Sequence, residues 1–176
     1  MKHTALGYAL IGLVQEDPRS GYALRKVFED TPMGAFSSSP GSIYPALKKL
    51  VQAGTLEQKP RAQGGKTVFH ITPKGQREMQ AWLETPVTQA EVANANDLAL
   101  LRFAFLQTQA NLQITHRFLS SFEIAVRSHI DELQAYLSSA ESAGLSRHAR
   151  LAVENGLRGY QAHLDWAIHA AKVFQS

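Results

Sequence analysis

The chain has 176 residues, 44% hydrophobic and 19% charged, with a formal net charge of +3. That balance is enough to build a core and excludes a disordered polyelectrolyte, and no apolar run reaches the roughly 18 residues of a membrane span. The absence of cysteine excludes a disulfide framework and thiolate chemistry.

Leu6, Leu10, Leu13 and Val14 recur at helical spacing and predict a first amphipathic helix over residues 4–15, ended by Pro18. One lysine followed by an apolar stretch is also how a signal peptide opens. No small-residue cleavage site follows, however, and Glu16-Asp17-Pro18-Arg19 reads as a turn, so a cytoplasmic protein is expected. Ser20 is placed to cap a second helix with Leu24, Val27 and Phe28 on its apolar face, stopping near Thr31-Pro32. Ser39-Pro40 then joins an N-cap to a proline at the first helical position. The third helix runs over residues 40–53, turns Ile43, Leu47, Leu50 and Val51 inward, and stops at Gly54.

The period then changes. Residues 55–61 and 66–72 are short strand-like runs joined at Ala62-Gln63-Gly64-Gly65, with Phe69 and Ile71 on one face. Thr72-Pro73 opens a fourth helix with Met79, Trp82 and Leu83 as its apolar face. Three helices, a hairpin and a further helix make a winged helix-turn-helix, assigned to residues 1–84.

Residues 85–96 are polar and read as a linker. Residues 97–176 read as an antiparallel helical domain, with a short helix over 97–107 and long helices over 112–142 and 147–174. Leu119, Phe122, Val126, His129, Leu133 and Tyr136 form a seam on the first long helix. Val153, Leu157, Tyr160, Leu164, Ala167, Ala171 and Phe174 repeat it on the second. Seams of this kind need a covering partner. Leu119, Phe122, Val126, Leu157, Tyr160, Leu164, Ala167 and Ala171 are therefore the expected homodimer contacts. The fold class is mainly α, with an α+β wing.

Charge is distributed unevenly along the chain. Residues 40–75 hold Lys48, Lys49, Lys59, Arg61, Lys66 and Lys74 against Glu57 alone, whereas residues 87–176 are close to neutral. A basic segment in a balanced chain is the footprint of a polyanion site. With its apolar residues inward, the third helix presents Ser42, Tyr44, Pro45, Lys48, Lys49 and Gln52 outward. A major groove about 12 Å wide admits such a helix. Ser42 and Gln52 suit base edges or phosphates, Tyr44 suits a phosphate or sugar, and the lysines neutralise phosphates. The hairpin tip adds Arg61, Gln63, Gly64, Gly65 and Lys66, cations and glycines that suit a groove wall.

These stretches resemble the PadR family of transcriptional regulators. The resemblance is carried by Gly12-Leu13, Ser20-Gly21-Tyr22-Ala23-Leu24, Ala53-Gly54-Thr55-Leu56, Ile71-Thr72-Pro73-Lys74-Gly75 and Trp82-Leu83. Its most specific part is the third-helix block from Ser39-Pro40-Gly41-Ser42-Ile43-Tyr44-Pro45 to Leu50. It covers about residues 4–84, and the long C-terminal part looks like the larger, AphA-like subfamily. The resemblance implies a homodimer on a roughly palindromic double-stranded DNA operator, usually as a repressor. Its DNA contacts fall on Ser42, Tyr44, Lys48 and the wing cations, within the block that also holds Ser39 and Gly41. In some members a small aromatic effector releases DNA, and Tyr22, Phe36, His129, His148 and Trp166 are the residues here that could line its pocket.

The alternative readings are a protein-interaction module on a winged fold and a metal or ligand sensor. Asp165 and His169 share a helix face, but two ligands do not make a metal site. No phosphate loop, nucleophile motif or paired catalytic carboxylates occur, so neither an enzyme nor a bound cofactor is expected.

Overall fold

In the computed structural model, which describes residues 3–36, 40–61, 65–108 and 112–175, the Thr4 hydroxyl accepts the Gly7 N–H at 3.1 Å and opens α1, Ala5–Glu16. Tyr8 to Val14 are all buried, so α1 is enclosed on every side rather than along the expected single stripe. Ser20 caps α2, Gly21–Asp30, through the Ala23 N–H. A 3-10 turn, Pro32–Phe36, precedes α3, Pro40–Gln52, which continues through Pro45. Ile43, Leu47 and Leu50 are buried against α1 and α2.

Gly54 ends α3 at φ 70°. The Thr55 N–H donates to Leu50 O at 3.0 Å and the Gly54 N–H to Val51 O at 2.9 Å, a Schellman closure that requires a left-handed residue at this point. The chain then enters the wing, β1 (Leu56–Arg61) paired antiparallel with β2 (Gly65–Ile71). Leu56 pairs with Ile71 and Gln58 with Phe69, and the register becomes irregular between Lys59 and Arg61. Pro60 lies there and has no N–H to give the ladder. The Phe69 N–H donates to Arg19 O at 2.8 Å, so the α1–α2 connection adds a single bridge to the sheet.

Thr72 opens α4, Pro73–Leu83, by accepting the Gly75 N–H at 3.0 Å, while its own hydroxyl donates to Gly54 O at 2.7 Å. Trp82 of α4 stacks on Tyr8 of α1, centroids 4.1 Å apart and planes within 10°. Met79, Trp82 and Leu83 are buried. The residues from Met1 to Leu83 form one compact unit, a winged helix-turn-helix, and those from Glu84 to Ser176 form another.

The second unit departs from the expectation at its start. Residues 85–96 are not a linker throughout: α5 runs Gln89–Phe105, capped by Thr88, whose side chain accepts the Glu91 N–H. Val87 and Val92 are buried and anchor this polar stretch. The helix breaks only at Ala95 (φ −152°, ψ 39°), and the helix expected from Asp97 is the part of α5 beyond that break. The two long helices are α6, Leu112–Ser138, and α7, Arg147–Val173, the latter capped by Ser146. The first ends earlier than expected because the Ser138 and Ser139 hydroxyls turn back onto Gln134 O and Tyr136 O.

Phe122 meets Trp166, His129 meets Tyr160, and Arg150 reaches Leu137 O, so α6 and α7 run antiparallel within one chain. This pairing bears on four of the expected dimer contacts. Leu119, Phe122, Val126 and Ala167 are buried inside the unit. A seam shows that a face is covered; here α5 and the facing long helix already do the covering. Leu157, Tyr160, Leu164 and Ala171 remain half-buried. The strongly exposed apolar residues of this unit include Leu112, Ile124, Leu151 and Val173. Among the described residues no helix is long and apolar enough to cross a membrane.

Candidate nucleic-acid interface

Burial of Ile43, Leu47 and Leu50 fixes which face of α3 meets solvent. On that face Gly41, Tyr44, Pro45, Lys48 and Lys49 are exposed and Ser42 is half-buried. A cavity of about 630 Å3 lined by His3, Leu6, Ser42, Pro45, Lys49 and Glu78 keeps a second flank of α3 open. Gly65 begins β2 opposite Arg61. Ser39 and Gly64 lie outside the described residues, as do the side chains of Arg61 and Lys66.

Ion pairing separates the basic residues of the first unit into two groups. On α2, Arg25 pairs with Glu29 at 3.3 Å and Lys26 with Asp30 at 3.2 Å. The Asp30 hydrogen bond and charge hold the Lys26 ammonium above its ordinary pKa. On the wing Lys59 pairs with Glu57 at 2.6 Å. Lys74 binds the Ala53 carbonyl, so it caps the end of α3, and lies 3.9 Å from Glu78. The Lys48 and Lys49 ammonium groups, by contrast, have no carboxylate partner among the described residues. The exposed face of α3 therefore combines two unneutralised cations, a phenol and a small hydroxyl on one helix, a set able to meet phosphates and base edges together.

Sequence reasoning missed the cluster that fixes α4 beneath this surface. His3 Nε2 lies 2.9 Å from Glu78 Oε2, and the Thr55 hydroxyl donates to the same oxygen at 2.9 Å. Both His3 and Glu78 are almost wholly buried. Residues 75 positions apart leave no periodic trace that would pair them.

The residues suggested for an effector are divided between the two units. Tyr22 is exposed on α2, with the Arg25 guanidinium 5.5 Å from its ring centroid. The Phe36 side chain lies outside the described residues. In the second unit His129 packs edge-on to Tyr160 at 4.4 Å, and His148 is exposed in the first turn of α7. Trp166 packs against Phe103 and Phe122 at 5.0 and 5.5 Å. For Trp166 this is core packing.

Residues 10–81 match the model of the transcriptional regulator PadR-like family. The negative transcriptional regulator PadR of Bacillus subtilis is 32% identical over 81 residues, 44% of this chain and 44% of that protein. The transcriptional regulator YqjI of Escherichia coli is 30% identical over 90 residues, 51% of this chain and 41% of that one. The matched stretch thus spans less than half the length of either relative. Among solved structures, Bacillus subtilis PadR in complex with operator DNA aligns over 96% of this chain and 98% of that chain, at 22% identity and a TM-score of 0.41. The Vibrio cholerae virulence activator AphA aligns over 97% and 98%, at 18% identity and a TM-score of 0.43.

Proposed function

We propose, from the premise that residues 10–81 form a domain of the PadR-like family, that the chain is a sequence-specific DNA-binding transcriptional regulator. In this reading it represses from a pseudo-palindromic operator as a homodimer. The observation that carries the proposal is the outward face of α3, where Tyr44, Pro45, Lys48 and Lys49 are exposed and the two lysines lack carboxylate partners among the described residues. Helix α3 enters the major groove, Ser42 and Tyr44 make polar contacts, the lysines neutralise phosphates, and the wing residues Arg61, Gly64, Gly65 and Lys66 lie along the adjacent backbone.

The second unit supplies the partner contact. A homodimer sets two recognition helices about one helical turn of DNA apart. Leu112, Ile124, Leu151 and Val173, each at least 55% exposed in the single chain, give that unit apolar surface for a second copy.

The test is fluorescence anisotropy with duplex DNA from upstream of the protein's own gene, at physiological salt with excess unrelated competitor. Saturable binding at nanomolar concentration with two protomers per site supports the reading. Absence of binding even to bulk genomic DNA at low salt overturns it. Release of the bound duplex then reads out a screen of small aromatic effectors, with Tyr22, Phe36, His129, His148 and Trp166 as positions to substitute.

A further inference from the structure

Tyr44 is the largest side chain on the outward face of α3, and its ring is not held by α3 alone. A Cβ built on Gly21, the first residue of α2, falls 2.8 Å from Tyr44 Cε1 and 3.5 Å from Tyr44 Cδ1. The same point lies 3.6 Å from Cε2 of Phe69, which is buried on β2. The Arg19 carbonyl, two residues before Gly21, is tied to the Phe69 N–H at 2.8 Å. The start of α2, the wing strand and the recognition helix therefore converge on one notch, floored by a glycine. One side of the Tyr44 ring rests in it, and the side chain is otherwise half exposed (50%).

Glycine is not needed at position 21 for backbone reasons. Gly54 is the described glycine with a positive φ, and Gly21 opens a helix, where alanine is the better helix former. What the missing Cβ provides is space. Real Cβ atoms do not approach a ring carbon to 2.8 Å, so an alanine here must displace the Tyr44 ring, which can turn about its own side-chain bonds. Steric demand thus falls on the outward-pointing Tyr44, and Phe69 at 3.6 Å stays in ordinary contact.

We propose that Gly21 is a positioning residue for Tyr44: its missing side chain forms the notch that sets the phenol at the DNA-facing surface. This deepens the DNA-binding reading and rests on it. Gly21 touches no DNA in this role and acts through Tyr44 alone. Through Arg19 and Phe69 the wing shares the same notch, so the wing and recognition helix present their contacts in a fixed relation.

The experiment uses the full chain as wild type, Gly21→Ala, Tyr44→Ala and the double variant. Each is titrated with the duplex from upstream of its own gene, or with genomic DNA if that duplex does not bind. Gly21→Ala is expected to melt at the wild-type temperature or slightly above it and to bind DNA about tenfold more weakly, the effect of misplacing one polar contact. In the Tyr44→Ala background the same substitution is expected to change affinity less than about twofold. Ring resonances of 13C-labelled tyrosine provide a DNA-free readout, with the Tyr44 signals moving in Gly21→Ala as the ring leaves the notch at Gly21. An equal loss of affinity in both backgrounds, or unmoved Tyr44 signals, overturns the positioning role. Failure of the wild type to bind any DNA overturns the interface reading instead, and the two failures are told apart by the wild-type titration.

Discussion

Replacing Gly75 by alanine tests how the wing and α4 are joined. A Cβ at Gly75 would stand 2.2 Å from the Thr55 carbonyl oxygen, 3.1 Å from its carbon and 2.9 Å from Ile71 Cγ1. None of these is the tip of a flexible side chain, and Thr55 is fully buried. Relief requires moving the Thr55 carbonyl, which accepts both the Thr72 N–H and the Thr72 hydroxyl at 3.1 Å. Losing those bonds costs about 1 kcal/mol each. Residual overpacking adds about 1–3 kcal/mol. The helix-propensity gain of alanine offsets up to about 1 kcal/mol. The expected net destabilisation is about 2–4 kcal/mol. Urea unfolding followed by Trp82 emission, in a Trp166→Phe background, assigns the loss to the winged unit. A loss below about 0.5 kcal/mol, the size of an ordinary surface substitution, would refute the close approach of α4 to Thr55.

Gly156, inside α7, is the opposite case: nothing stands within 4 Å of an added Cβ. Gly156→Ala is expected to stabilise by about 0.5–1 kcal/mol in urea unfolding followed by Trp166 emission in a Trp82→Phe background, and destabilisation would mean that this surface is covered in solution. Arg102 is 2% exposed and binds Glu91 at 2.9 Å. Arg102→Ala strands the buried carboxylate and should cost about 3–5 kcal/mol, with Arg102→Met plus Glu91→Gln recovering part of it; equal losses in the two proteins would exclude a charge effect. Lys48→Ala should weaken binding to every duplex and lower the slope of log affinity against log salt by about 0.9 per protomer, about 1.8 for a bound dimer; an unchanged slope removes Lys48 from the phosphate contacts.

Sequence alone determined the local features of this protein. Helical spacing marked α1 to α4 and both long helices; Ser20 and Thr72 marked caps; and Gly54 marked the stop after α3. These are legible because a cap, a turn or an apolar stripe is decided by residues within four positions of one another. The outward set on α3 was legible for the same reason: three buried residues at helical spacing leave one face free. Composition misjudged residues 85–96, where Thr88, Val87 and Val92 hold a polar stretch in a helix. Periodicity located the C-terminal seam without saying what covers it, and the tertiary structure gave Leu119, Phe122, Val126 and Ala167 to the chain's own interior. Only the tertiary structure brought Glu78 to His3 and Thr55, and Gly21 to Tyr44. A side-chain pattern records which face is apolar, whereas the partner of that face is set by packing between elements distant in the chain.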